Sequence, residues 1–203
     1  MKIAIFALSS VMLVACSSVT PMPADVFLPL EIAAPATSVT WTHGDLRVAP
    51  FTANGVHNER AVMMTTDGAT LQRHPYWFWA SDPPHLLQDA LQSYLAAAHI
   101  ARHVDSEVSN ADRLIVHGSI ERLDYHPSNV ATTAGSLMVS LSLKVLDIAQ
   151  SRVVMSREFR AEQPVADGTA TALAHSMNTA VSIIYADFLN EAAKSLKSKV
   201  AEE

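Results

Sequence analysis

Leu137, Val139, Leu141, Leu143 and Val145 alternate with Ser140, Ser142 and Lys144, and this run limits the fold more sharply than any other part of the chain. A period of two puts all the large apolar side chains on one face of a strand, and that face needs a cover. Val153, Met155 and Phe159 opposite Ser156, Glu158 and Arg160 give a second strand, and the short connection from Asp147 to Arg152 makes the pair a hairpin. Upstream, Leu114, Val116 and Ile120 share a face, but the apolar phase slips by one at Leu123 and Tyr125, which predicts a bulge or strong twist between Gly118 and Leu123. A meander of antiparallel strands results.

The cover is helical. From about Asp167, an N-cap by residue type, to about Leu196, the residues Leu173, Met177, Val181, Ile184 and Phe188 recur on one helical face, with Lys194, Lys197 and Lys199 near the C-terminus complementing the dipole. An earlier helix opens at Ser81 or Asp82 with proline at its first positions, where a missing N–H costs nothing. Its stripe is Leu87, Ala90, Leu91, Tyr94, Leu95 and Ala98, which places Gln88, Asp89, Gln92 and Ser93 toward water.

Before that helix the chain reads as short strands. Val26 to Ile32 is one, with Pro29 confining it to a sheet edge or strand end. Residues Pro35 to Gly44 read as loop. Leu46, Val48 and Phe51 begin a second strand closed by Pro50, and Ala61 to Thr66 gives a third, between turns at Asn54-Gly55 and Asp67-Gly68. Tyr76-Trp77-Phe78-Trp79 has the look of a strand buried on both faces. Trp79 is assigned to the core, while Tyr76 and Trp77 are candidates for partner contact. The fold class is therefore α+β: a single domain with a mainly antiparallel β-sheet and two long amphipathic helices packed on one face.

The N-terminus reads as an address. Lys2 precedes the apolar run Ile3 to Val14, too short to span a bilayer comfortably, and Leu13-Val14-Ala15-Cys16 has the form of a bacterial lipobox. Residues 1–15 are thus a lipoprotein signal peptide, 16–25 a lipid-anchored linker and 26–203 the domain. Cys16 is the single cysteine, which excludes an internal disulfide, and lipid attachment, by palmitate among other chains, explains its presence. Ser17, rather than an aspartate, after the cysteine favours the outer membrane, facing the periplasm. With a net charge of −6 and no basic stretch there is no electrostatic footprint for nucleic acid.

Catalytic chemistry is harder to find. His99 and His103 are spaced one helical turn apart, yet a zinc site needs a third protein ligand, and Asp105 is the nearest candidate. A fraying helix end accounts for the pair. Gly118-Ser119 and Gly135-Ser136 lack a nucleophile-elbow frame, the six glycines form no phosphate loop, and Glu107 with Asp112 flanks what reads as a solvated turn. We assign no catalytic residue, no metal and no cofactor, and read the protein as not an enzyme.

The lipobox, the segment Leu46-Arg47-Val48-Ala49-Pro50-Phe51, the corner Trp79-Ala80-Ser81-Asp82-Pro83-Pro84 with Leu87 and Leu91, and Asp112-Arg113-Leu114 together resemble the ABC-type transport auxiliary lipoproteins, the PqiC-like family. The resemblance implies a non-catalytic periplasmic domain, tethered to the outer membrane, that works with an MCE-type periplasm-spanning protein and an inner-membrane transporter to move lipids or other hydrophobic solutes. Homo-oligomerisation is compatible with it. Val26-Phe27 stands where tyrosines are common in the family, and only Cys16 carries over as a site. The rival readings are a domain that itself carries a lipid between helices and sheet, a lipid-anchored hydrolase, and an outer-membrane assembly or cell-wall scaffold lipoprotein.

Overall fold

The computed structural model describes residues 23–35, 41–42, 44–128 and 135–200. The expected export signal, Cys16, most of the expected linker and Lys199's side chain lie outside the described residues. In chain order the elements are β1 (Val26–Leu28), β2 (Asp45–Val48), β3 (Thr52–Ala53), β4 (Ala61–Met64), β5 (Gln72–Trp79), α1 (Pro83–Ala97), β6 (Val104–Asp105), β7 (Asp112–Pro127), β8 (Gly135–Asp147), β9 (Arg152–Val165) and α2 (Ala170–Val200). They form a single α+β domain.

All nine strands belong to one sheet built around β7. Along one edge β7 pairs antiparallel with β8, from Leu114 opposite Asp147 to Pro127 opposite Gly135, and β8 pairs antiparallel with β9. Along its other edge β7 meets β2, β3 and β4 in succession, all parallel. From β4 the sheet continues antiparallel to β5 and then parallel to β1, while β6 flanks β2. The long ladders are antiparallel and the short strands supply the parallel pairs, so the sheet is mixed.

The expected bulge is present. Registers slip between Ile120 and Arg122, which leaves Glu121 as the extra residue and returns Leu123 and Tyr125 to the buried face. Leu137, Val139, Leu141, Leu143 and Val145 are fully buried, as is the α2 stripe of Leu173, Met177, Val181, Ile184 and Phe188. Each such side chain contributes roughly 1.5–3 kcal/mol by leaving water. The helices are tied to one another by Tyr185, whose buried hydroxyl donates to the Leu87 carbonyl at 2.7 Å.

Several boundaries differ from expectation, each for a local reason. β1 stops at Leu28 because Pro29 follows; beyond it Glu31 N donates to Asn178 Oδ1 of α2 at 3.1 Å. The strand expected through Phe51 is split at Pro50 into β2 and β3. α2 begins later than Asp167: Thr169 Oγ1 accepts the Ala172 N–H at 3.2 Å, whereas the Asp167 carboxylate is taken by Thr169's own N–H and hydroxyl. Gln88 does not face water but is buried, its amide donating to the Val48 carbonyl at 3.4 Å. The aromatic run in β5 is not buried on both faces either. Trp79 is buried, but Tyr76, Trp77 and Phe78 are half-buried, because β5 lies one strand from the sheet edge and neither helix covers its outer face.

Gly118 shows how tight the helix-side packing is. A Cβ there would lie 2.3 Å from Phe51 Cζ, so the Phe51 ring rests directly on the β7 backbone. Gly118→Ala is expected to destabilise the domain by about 1–3 kcal/mol through overpacking. Denaturant unfolding of the double variant with Phe51→Leu checks the cause, since a smaller side chain at 51 should recover part of the loss.

Candidate functional site

The half-buried aromatics of β5 occupy an irregular stretch. Where β4 advances from Ala61 to Met63, its partners on β5 go from Phe78 to Arg73, so the residues around Pro75 bulge out of the ladder. His74 holds the bulge from inside. Its Nδ1 accepts the N–H groups of Tyr76 at 3.2 Å and Trp77 at 3.0 Å, and its ring stacks on Trp77 with centroids 4.0 Å apart and planes 17° from parallel. Trp77 in turn leans on Tyr125, at 6.2 Å between centroids, which anchors it to the buried face of β7. Of the two sequence candidates, Trp77 is therefore positioned by packing and Tyr76 by its backbone.

On the opposite face the edge is more exposed. Phe27 of β1 pairs with Phe78 of β5, ring to ring at 5.8 Å, and remains 54% exposed. Arg60 lies over the Phe27 ring at 5.4 Å, and its guanidinium donates to the Trp79 and Ala80 carbonyls. A cleft of about 470 Å³ lies here, lined by Asp25, Phe27, Glu59, Arg60, Ala61 and Phe78. Sequence reasoning missed Phe27, Phe78, Arg60 and His74. The one available signal was Pro75 inside a strand-like run, which marks a bulge.

Polar groups on the rest of that face are paired with one another. Arg122 forks onto Asp124 at 2.6 and 3.0 Å, and His126 Nε2 also meets Asp124. On the neighbouring strands Ser140 donates to Glu158, which Arg160 also holds, and these donors pull the Glu158 carboxyl down to about 2. An aspartate, a histidine and a serine thus share one face, but the Ser140 hydroxyl is committed to Glu158 and bonds to no imidazole among the described residues. His99 sits beyond the end of α1 in a left-handed conformation (φ 53°) and His103 lies off the helix, so they do not form the helical pair that their spacing suggested. Among the described residues no group of three or more His, Cys, Asp or Glu is placed to hold a metal ion. Asp112 is not a solvated turn residue: it pairs with Arg47 at 3.1 Å and its side chain is almost buried.

Burial lowers the pKa of His74 from its ordinary value of 6.5, and burial followed by the charges of Lys144 and Arg47 lowers that of His117. A depressed histidine pKa gives stability that is complete above the unfolded value and lost as the pH falls through it. Unfolding midpoints should therefore decline from about pH 7.5 to about pH 5. His74→Asn, which keeps an acceptor for the two N–H groups but does not titrate, should make that decline shallower; an unchanged slope would remove His74 from the account.

The ABC-type transport auxiliary lipoprotein component matches this chain over residues 28–187. Among solved structures, a Xanthomonas campestris protein of the DUF330 family superposes with a TM-score of 0.73 at 14% identity, covering 88% of this chain and 99% of its own. A hypothetical protein of Chlamydia trachomatis superposes with a TM-score of 0.50 at 10% identity, over 76% of this chain and 98% of its own. PelC of Paraburkholderia phytofirmans, solved as a dodecamer, gives a TM-score of 0.43 at 15% identity over 75% of this chain and 92% of its own. At these identities the first two likenesses speak to the fold alone, and the PelC superposition supports nothing further. No curated protein matches. The family match runs from the end of β1 into α2 and so takes in the sheet, α1 and the aromatic edge: the chain belongs to the ABC-type transport auxiliary lipoproteins.

Proposed function

We propose that this protein is the non-catalytic auxiliary component of an ABC/MCE-type system that moves lipids or other hydrophobic solutes between the two membranes. In this reading Cys16 carries the lipid, the anchor lies in the outer membrane and the domain faces the periplasm. The observation that carries the proposal is the family match over residues 28–187, which spans nearly the whole folded domain. Among the described residues no helix is long and apolar enough to cross a membrane, which leaves the N-terminal lipid as the natural attachment. Tyr76 and Trp77 are the proposed contacts for the MCE-type partner, because a stacked, pre-positioned aromatic loses little conformational freedom on docking.

Packing argues against the rival in which the domain itself carries a lipid. The space where α2 meets β8 and β9 is filled by fully buried side chains, among them Leu141, Val181, Ile184 and Phe188, with Phe159 edge-on to Phe188 at 6.0 Å. Cross-linking the tagged, lipidated protein in cells, with Cys16→Ala as the mislocalised control, tests the proposal. We expect an MCE-type protein or transporter subunit that is lost or much reduced in the control. Recovery of only outer-membrane assembly or cell-wall proteins would overturn the transport reading, and Trp77→Ala should weaken capture without changing localisation.

A further inference from the structure

Phe27 is the one aromatic among the strongly exposed apolar side chains of the described residues, and it lies close in the chain to Cys16. The charges around it are unusual for this surface. Seven other arginines pair with carboxylates, whereas Arg60 is exposed and, among the described residues, bonds only to backbone carbonyls and the Phe27 ring. Within the same cleft Glu59 is held by Arg73, while Asp25 has no cationic partner among the described residues. The cleft therefore offers a cation, an anion and an apolar ring side by side.

We infer that this cleft takes the zwitterionic headgroup of an aminophospholipid in the bilayer that holds the anchor, with Phe27 at the headgroup boundary, Arg60 on the phosphate and Asp25 on the ammonium. The inference rests on the anchoring of Cys16 proposed above. Chain length selects this occupant. Six residues separate Cys16 from Pro23, the first described residue, and the seven Cα-to-Cα steps between them reach at most about 25 Å even fully extended. The tether thus keeps the β1 edge near the lipid surface, where an exposed aromatic and an arginine beside it are at home. A guanidinium recognises phosphate oxygens in a forked geometry, and a carboxylate accepts hydrogen bonds from a primary ammonium.

Acylation consumes the Cys16 thiol, so a cysteine introduced at Phe27 is the sole free thiol of the lipidated protein. The full-length lipidated Phe27→Cys variant, carrying a nitroxide and reconstituted in phosphatidylethanolamine-rich vesicles, is compared with Val108→Cys, a 79% exposed position next to β6 at the other end of the strand order. At position 27 the aqueous nickel chelate should collide about fivefold less often than at 108, and oxygen more often. Adding Arg60→Gln should restore much of the aqueous access at 27. Equal chelate access at both positions in acylated protein, or low access at 27 to both reagents, which signals cover by protein, overturns the inference and leaves the anchor intact. Mass spectrometry of the same sample reads Cys16 acylation, and its absence overturns the anchoring reading together with this one.

Discussion

The apolar face shared by β7, β8 and β9 has to be covered, and α2 is the element long enough to cover the outer two strands. The rest of the domain depends on that contact. Because α2 lies on β8 and β9, α1 is placed beside it through Tyr185 and Leu87 and covers the β2 end of the sheet. Both helices are then used on one face. Among the described residues no helix covers the opposite face, so its residues need either partners on the same surface or partners from outside. Over β7, β8 and β9 the chain takes the first course with Arg122, Asp124, His126, Glu158 and Arg160; at the β1–β5 edge it presents aromatics instead.

What could be read from the sequence follows from what periodicity reports. Alternation says which side chains share a face, so β8, the slip at Glu121 and the α2 stripe were legible. It says nothing about which strand lies alongside. The parallel pairings of β2, β3 and β4 with β7 follow from long-range packing, and no local pattern around Leu46 or Met64 announces them. Gln88 was misplaced because it sits at the border of the α1 stripe, where a nearby backbone acceptor, the Val48 carbonyl, decides whether an amide is buried. Asp167 and Thr169 are both good caps by type, and the choice between them was settled by which side chain reached the free N–H groups of the first turn.

The candidate site was legible only in part. A run of four aromatics was visible, but burial on one face or both depends on whether a second layer exists, which residue order alone does not encode. Trp77 and Tyr76 were singled out as contact candidates, whereas the support of Trp77, His74, and the exposed pair of Phe27 and Arg60 come from separate segments joined by β1–β5 and β4–β5 pairing. The outer strand β9 shows the same dependence on tertiary context. It is bonded to β8 on one side, and exposed Arg157, Glu158, Arg160 and Glu162 place charges along the open edge, which discourages pairing with another chain.

The bond from Glu31 to Asn178 joins residues 147 positions apart and fastens the segment after β1 to the closing helix. A chain that emerges N-terminus first presents β1 early, but its strand partner β5 follows about fifty residues later and its helical support comes last of all. The N-terminal end of the domain is therefore the last to be locked. Until α2 docks the first strand stays loosely held, so completion of this fold is tied to the arrival of the closing helix rather than to the emergence of β1.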